Sequence, residues 1–442
     1  MMNNKFLYIY YCALIFILAL YTNMNQSPNM MIRMGYLAAM VLPLINREYV
    51  FPTVIICALG ITKNTFAYPF MPTDIAYYIV LALLFALFAM YRRDLVIGVN
   101  PLFYLVFAYI ALNDISLQGE LSNMAIAFFI CILFYICMKD NLDIANQILP
   151  FSFILISLTI SYWVIFCPEA QINSYNKAGD MEQRGWSDPN YLSAVLGMGL
   201  VLAVKDLLQG GNKFTYSSFL AMMVGGSTIS MLILASRGAI LSVILTIALL
   251  FVISKTEKTT KVLAVIFAAI FIIFLYTNQY IDLVMARVEA EDGTGSQRTE
   301  IWASKINDFF LMDNPLNWIF GVGQSEGAKL GHLFGTSYSA LSTHNDYISL
   351  LIYYGFVGIS LFISVIAYPL RICQQTVRPQ VITLLAYLLI CSMTIEPLAH
   401  GNFVYWGFLL YIIVFARYSQ EQELIDEEVE EFEEEFDTYE QE

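Results

Sequence analysis

Apolar runs of about one bilayer's length, separated by short polar breaks, recur along nearly the whole chain. The runs fall at about 6–21, 31–46, 50–68, 74–91, 95–112, 121–138, 150–167, 190–206, 216–235, 238–254, 262–278, 346–368, 380–397 and 402–416. Most approach the ~17–25 residues a helix needs to cross the hydrocarbon. The pattern predicts fourteen spans, with the second and third short enough to merge or lie flat. The expected fold is an all-α polytopic membrane protein of about 12–14 transmembrane helices, because only helices or closed barrels satisfy their backbone groups in lipid.

Composition agrees and narrows the class. Hydrophobic residues make up 59% and charged residues 13% of the chain, and the mean hydropathy is +0.65. A soluble domain carries roughly 25% charge, so that class is excluded. The formal net charge of −14 is misleading, because residues 421–442 hold thirteen Asp or Glu and no Lys or Arg. Without them the net charge is −1. Such a tail repels itself and is expected to be disordered or a frayed helix. Nothing in the pattern points to nucleic acid. The seven cysteines, Cys12, Cys57, Cys131, Cys137, Cys167, Cys373 and Cys391, lie in or at the ends of spans without a CxxC or Cys/His cluster, and read as packing residues.

Charge in the loops sets the orientation. With the N-terminus inside, the inner loops hold thirteen Lys and Arg and the longer outer loops hold eight. That is the bias of the positive-inside rule, and it puts both termini in the cytoplasm. Lys5 alone precedes the first span and no small-residue cleavage site follows it, so this span is expected to be a retained anchor.

Only two connections are long, about 168–189 and about 279–345, and the topology puts both outside. The second carries Trp302, Phe309, Phe310, Trp318 and Phe320, which predicts a folded, partly helical subdomain. Within it, Ile301, Trp302, Ile306, Phe309 and Phe310 recur at an approximate helical period from Arg298 to Phe310. Asp313-Asn314-Pro315 ends that helix and Gly321-Val322-Gly323 makes a turn. The chain therefore divides into transmembrane helices 1–167, a core 168–420 that includes the outer loop 279–345, and the tail 421–442.

Three spans that run from outside to inside begin beside polar residues: Asp188-Pro189-Asn190, Ser236-Arg237-Gly238, and Ser342-Thr343-His344. Each would aim the positive end of its helix at the outer face, where a phosphate or diphosphate is favoured. Arg184, Arg237 and Arg298 add planar donor forks that match phosphate oxygens. Arg237 stands out, because it interrupts nearly uncharged sequence between Phe214 and Ser254, and such polar groups tend to be functional. Gly355 and Gly358 follow His344 by eleven and fourteen residues, which on a continuous helix puts all three within roughly 40° of one direction. His400, in the outer turn Glu396-Pro397-Leu398-Ala399-His400, is a candidate supporting group, and His332 reads as a surface histidine.

The sequence His344-Asn345, nine residues, Gly355, two residues, Gly358 resembles the pattern of O-antigen ligases and polymerases at every specified position. Ser236-Arg237-Gly238-Ala239 resembles the arginine motif at the start of that family's core. Arg298 to Trp302 with Gly321-Val322-Gly323 resembles the Arg…Trp…Gly-x-Gly stretch of its large outer loop. Arg184-Gly185-Trp186 with Asp188-Pro189-Asn190 resembles the preceding segment. The resemblance covers roughly 180–370, and the span count departs from the family's usual twelve or so.

That resemblance implies a bacterial inner-membrane glycosyltransferase with its site facing the periplasm. The donor would be a polyprenyl-diphosphate-linked saccharide. The acceptor would be the lipid A-core in a ligase, or the next lipid-linked glycan in a polymerase. Arg237 and Arg298, with Arg184, would hold the diphosphate. His344, ordinarily titrating near ~6.5, would take the acceptor's proton, and Asn345 would contact substrate. No cofactor is implied, and no carboxylate cluster of metal-ligand spacing lies in the outer loops, so no metal is expected. A lipid-linked oligosaccharide flippase is the alternative, disfavoured because no repeat relates the two halves.

Overall fold

In a computed structural model of the protein, the residues described are 99–139, 142–166, 174–175, 181–182, 189–210, 214–254, 256, 258–282, 284–285, 298–331 and 342–439. The first four expected spans, most of 168–188 including Arg184, Trp186 and Asp188, and His332 lie outside them. Thirteen helices are numbered here in chain order over the described residues. They are α1 Pro101–Gln118, α2 Asn123–Met138, α3 Leu142–Phe166, α4 Pro189–Gln209, α5 Phe214–Leu234, α6 Arg237–Ile253, α7 Lys258–Thr277, α8 Arg298–Phe310, α9 Leu316–Phe320, α10 Gly323–Lys329, α11 Asp346–Ile372, α12 Arg378–Thr394 and α13 Phe403–Tyr439. A two-residue antiparallel pair, Ser174–Tyr175 with Met181–Glu182, is the strand content among them.

The chain is an all-α polytopic membrane protein. Five of its described helices, within α1, α3, α4, α5 and α11, are long and apolar enough to cross a bilayer, and α2, α6, α12 and the end of α7 contain shorter apolar helices. Every expected run from 95 onward coincides with a helix, to within a few residues at most ends. The exceptions are α1, which lies about six residues later than expected, α3, which begins about eight residues earlier, and α13, which continues without a break to Tyr439 and carries most of the acidic tail with it as helix.

The core gathers on α4 and α13. Trp406, Tyr405, Phe408 and Tyr411 of α13 are fully buried, as is Tyr387 of α12. Small residues let the helices close up, as membrane packing requires. Gly197 of α4 faces Tyr387, and Gly199 faces Ser157 of α3, whose hydroxyl donates to the Val195 carbonyl at 3.1 Å. By contrast α7 exposes Val262, Val265, Ile266, Ile270, Ile272 and Ile273, as a lipid-facing helix does.

The stripe expected through His344, Gly355 and Gly358 does not form. His344 lies ahead of the helix with φ +49°, Asn345 is the cap, and Gly355 breaks α11 at φ +65° and ψ −167°. The break has a different use. It seats the turn after α9, because a Cβ on Gly355 would run into the Ile319 carbonyl and the Gly321 amide, and a Cβ on Gly321 would run into Tyr353. The carbonyls freed at the break are paired again. Ile352 accepts from the Val322 amide at 2.9 Å, and Tyr354 accepts from the Tyr109 hydroxyl of α1 at 2.7 Å. Asn113 of α1 holds the Phe320 carbonyl at 2.5 Å. Asp114 accepts from the Ser122 amide at 2.9 Å and from the Tyr354 hydroxyl at 3.1 Å. The subdomain within 298–331 is thus anchored to α11 and α1.

Candidate active site

Helix α6 begins at Arg237 because Ser236 leaves the helical region at its N-cap and donates its hydroxyl to Asn190 at 3.0 Å. Asn190 lies in the first turn of α4, so two of the three polar helix starts are tied together. Arg237 is half-buried, and the next residue, Gly238, lies against Thr394 so closely that a Cβ would collide with that side chain. Thr394 is the last residue of α12. Its carbonyl, one of those a helix end leaves unpaired, accepts from Arg298 Nη1 at 2.7 Å. Arg298 is itself half-buried at the start of α8.

The third helix start reaches the same place. Asn345 Oδ1 caps α11 by accepting from the Tyr347 and Ile348 amides at 3.0 and 3.2 Å, and Nδ2 donates to the Met393 carbonyl at 3.4 Å. Asn345, expected among the substrate contacts, is buried with both ends of its amide engaged in the protein. The segment beginning at Arg237, the Arg298 guanidinium and the residue after His344 therefore all meet at Met393–Thr394.

The His344 segment is pinned from several directions. Its amide donates to Glu396 Oε2 at 3.1 Å and to Ser342 Oγ at 3.3 Å. The Thr343 carbonyl accepts from Trp302 Nε1 at 2.6 Å. Thr343 Oγ1 lies 2.6 Å from Ser349 Oγ and accepts from the Asn345 amide at 3.2 Å. The His344 side chain is half-buried.

Glu396 is the residue that inspection of the sequence passed over. It is completely buried, and Ser342 and Ser349 both donate hydroxyls to it. His400 Nε2 approaches its Oε2 at 3.4 Å. Burial pushes the Glu396 carboxyl up, but the hydrogen bond and charge of His400, with Ser342 and Ser349, outweigh it and hold the group down at about 2. His400 is raised in turn: burial lowers it, and Glu396 more than compensates. Asp346 binds in the opposite direction, from α11 back to the turn, accepting from the Leu398 and Ala399 amides at 3.0 and 2.8 Å. The two carboxylates staple segment 342–346 to turn 395–402. Glu396 is the single acidic residue between Asp346 and Glu421, which is the signal a sequence reading could have used.

Buried Lys305 of α8 faces the same junction. Burial lowers its pKa, while Glu396 and Asp308 pull it back up, and its ammonium donates to the Ala328 carbonyl at 3.3 Å.

Residues 220–363, which include Arg237, Arg298 and His344, match the family described as O-Antigen ligase. No curated protein matches the chain.

Proposed function

We propose, from the match of residues 220–363 to the O-Antigen ligase family, that the chain is a membrane glycosyltransferase that acts on a polyprenyl-diphosphate-linked saccharide at the periplasmic face of the bacterial inner membrane. The acceptor is a hydroxyl of the lipid A-core or of the next lipid-linked glycan. The reading rests chiefly on the meeting of three motifs, far apart in sequence, at the Met393–Thr394 end of α12.

Arg298 and Arg237 hold the donor's diphosphate, with Arg184 as a third cation in the segment before α4. Guanidinium forks suit this task because they meet phosphate oxygens two at a time and keep their charge. His344 accepts the proton of the acceptor hydroxyl as that oxygen attacks the anomeric carbon. The bond from that carbon to the diphosphate breaks, and the lipid diphosphate leaves with the bonding pair, its growing charge met by the arginines. Because guanidinium groups supply the countercharge, the scheme needs neither a divalent metal nor a cofactor.

Purified protein in lipid, given donor and acceptor, tests the scheme directly. Glycan transfer that survives His344→Ala at wild-type rate and equal membrane abundance would refute it.

A further inference from the structure

Two groups from different parts of the fold grip one peptide bond. The carbonyl of Thr343 accepts from Trp302 Nε1 at 2.6 Å, and the N–H of that same peptide, belonging to His344, donates to Glu396 and Ser342. A peptide unit is rigid, so holding its oxygen and its hydrogen sets the orientation of the plane. The Cα–Cβ direction of His344 follows from that plane and from φ, which is +49° here. A histidine adopts such a backbone uncommonly, and the conformation persists where the surroundings over-determine it.

Trp302 comes from α8, not from the helix that His344 precedes. It stands four residues after Arg298, so the two side chains share one face of α8. One reaches the Thr394 carbonyl and the other the Thr343 carbonyl. We propose that Trp302 is a positioning residue for transfer, its indole N–H coupling the seating of α8 to the backbone orientation of His344. The inference rests on the reading of His344 as the base and of Arg298 as a donor contact. On that reading, docking the helix that holds the diphosphate and aiming the base are one event.

The test is Trp302→Phe in the full chain, which keeps an aromatic face and deletes the N–H. Turnover should fall about 10- to 100-fold, since misplacing a catalytic group by about 1 Å costs on that order. The KM for donor should stay within about twofold, and membrane abundance and thermal midpoint should stay close to wild type. Glu396→Gln and Ser342→Ala loosen the other end of the same peptide and should give the same fall in turnover at unchanged donor KM, with Glu396→Gln also lowering the thermal midpoint because it removes the His400 pair. Combined with Trp302→Phe, either should cost less than the product of the single losses, because all three substitutions act on one structural unit.

Wild-type kcat in Trp302→Phe would overturn the proposal, as would a rise in donor KM with kcat kept, which would make the indole a sugar contact. If Trp302→Phe fails to fold, a wild-type kcat in Ser342→Ala together with one in Glu396→Gln would overturn it as well. His344→Ala run in parallel separates the two levels. If that variant transfers normally, the reading of the base fails, whereas a dead His344→Ala beside a normal Trp302→Phe defeats only the coupling.

Discussion

The two halves of the candidate site are built differently. On the arginine side, Arg237 and Arg298 are half-buried, and Arg298 donates to the Thr394 carbonyl at the end of α12. On the histidine side, the 342–346 backbone is tied down by Trp302, Glu396, Ser349 and its own caps, and both stapling carboxylates are wholly buried. The difference suits the proposed tasks. A phosphate clamp works through charge, which acts over several ångströms, whereas a base works only at hydrogen-bond distance and angle from one oxygen. Substitutions on the histidine side should therefore act on turnover, and those on the arginine side should also weaken donor binding.

The largest effect expected is that of His344→Ala. Loss of a general base costs about 10²- to 10⁴-fold, and a half-buried residue ahead of a helix cap contributes little to packing, so transfer should fall by that factor at unchanged abundance. Next come Arg298→Ala and Arg237→Ala. Removing one electrostatic contact to the developing charge costs about 10²- to 10³-fold in kcat, and here donor KM should rise as well. An unaltered donor KM in both arginine variants would erase the contrast between the two sides.

How much of this was legible follows from which residues are local. The helix from Arg298 to Phe310 follows from its apolar period, and the span positions follow from hydropathy. The stripe through His344 and Gly355 was misread because helical spacing presumes an unbroken helix, and here one member precedes the cap while another breaks the rod. Glu396 was missed for a different reason. A lone carboxylate at the end of an apolar run reads as an interface charge, and three of its donors, the Ser342 and Ser349 hydroxyls and the His344 amide, meet it only once turn 395–402 folds onto a segment 47 to 54 residues earlier. Likewise Gly355 shows its purpose only beside Gly321 and Ile319.

Gly355→Ala should accordingly act through stability. An alanine at φ +65° costs on the order of 1–3 kcal/mol in backbone strain, before its collision with the α9 turn is counted. Folded protein in the membrane should decline, while whatever does fold keeps a donor KM close to wild type. A stable Gly355→Ala protein would mean that the seat for the outer subdomain is more plastic than the close backbone approach implies.

The Glu396–His400 pair should be visible in the pH dependence of stability. The Glu396 carboxyl, at about 2, lies below its ordinary 4.5, so its contribution is present above pH 4.5 and is lost as the pH falls toward 2. His400 is raised above its ordinary 6.5, so its contribution is complete below pH 6.5 and is lost as the pH rises through the folded value. Both act in full between those limits. His400→Gln should flatten the decline of thermal midpoint above pH 6.5 and, because His400 is the leading group holding Glu396 low, should weaken the acid limb as well. Equal slopes on the alkaline side in wild type and variant would show that the pair contributes nothing there.

The smallest effect should come from the acidic end of α13, a region that neither side of the site needs. Ser419 accepts from the Gln374 amide at 3.2 Å and Glu421 pairs with Arg417 at 3.7 Å, so a cut must spare them. A chain ending after Gln422 removes twelve of the thirteen tail carboxylates and keeps both contacts. On the proposed orientation, with the termini cytoplasmic and the site periplasmic, the removed charges would lie ~30 Å of hydrocarbon away, and solvated charge is screened beyond ~8–10 Å. Turnover per molecule and donor KM should both equal those of the full chain. A loss of turnover at equal abundance would place the tail and the histidine on the same side of the membrane, and the orientation read from the loop charges would have to be reversed.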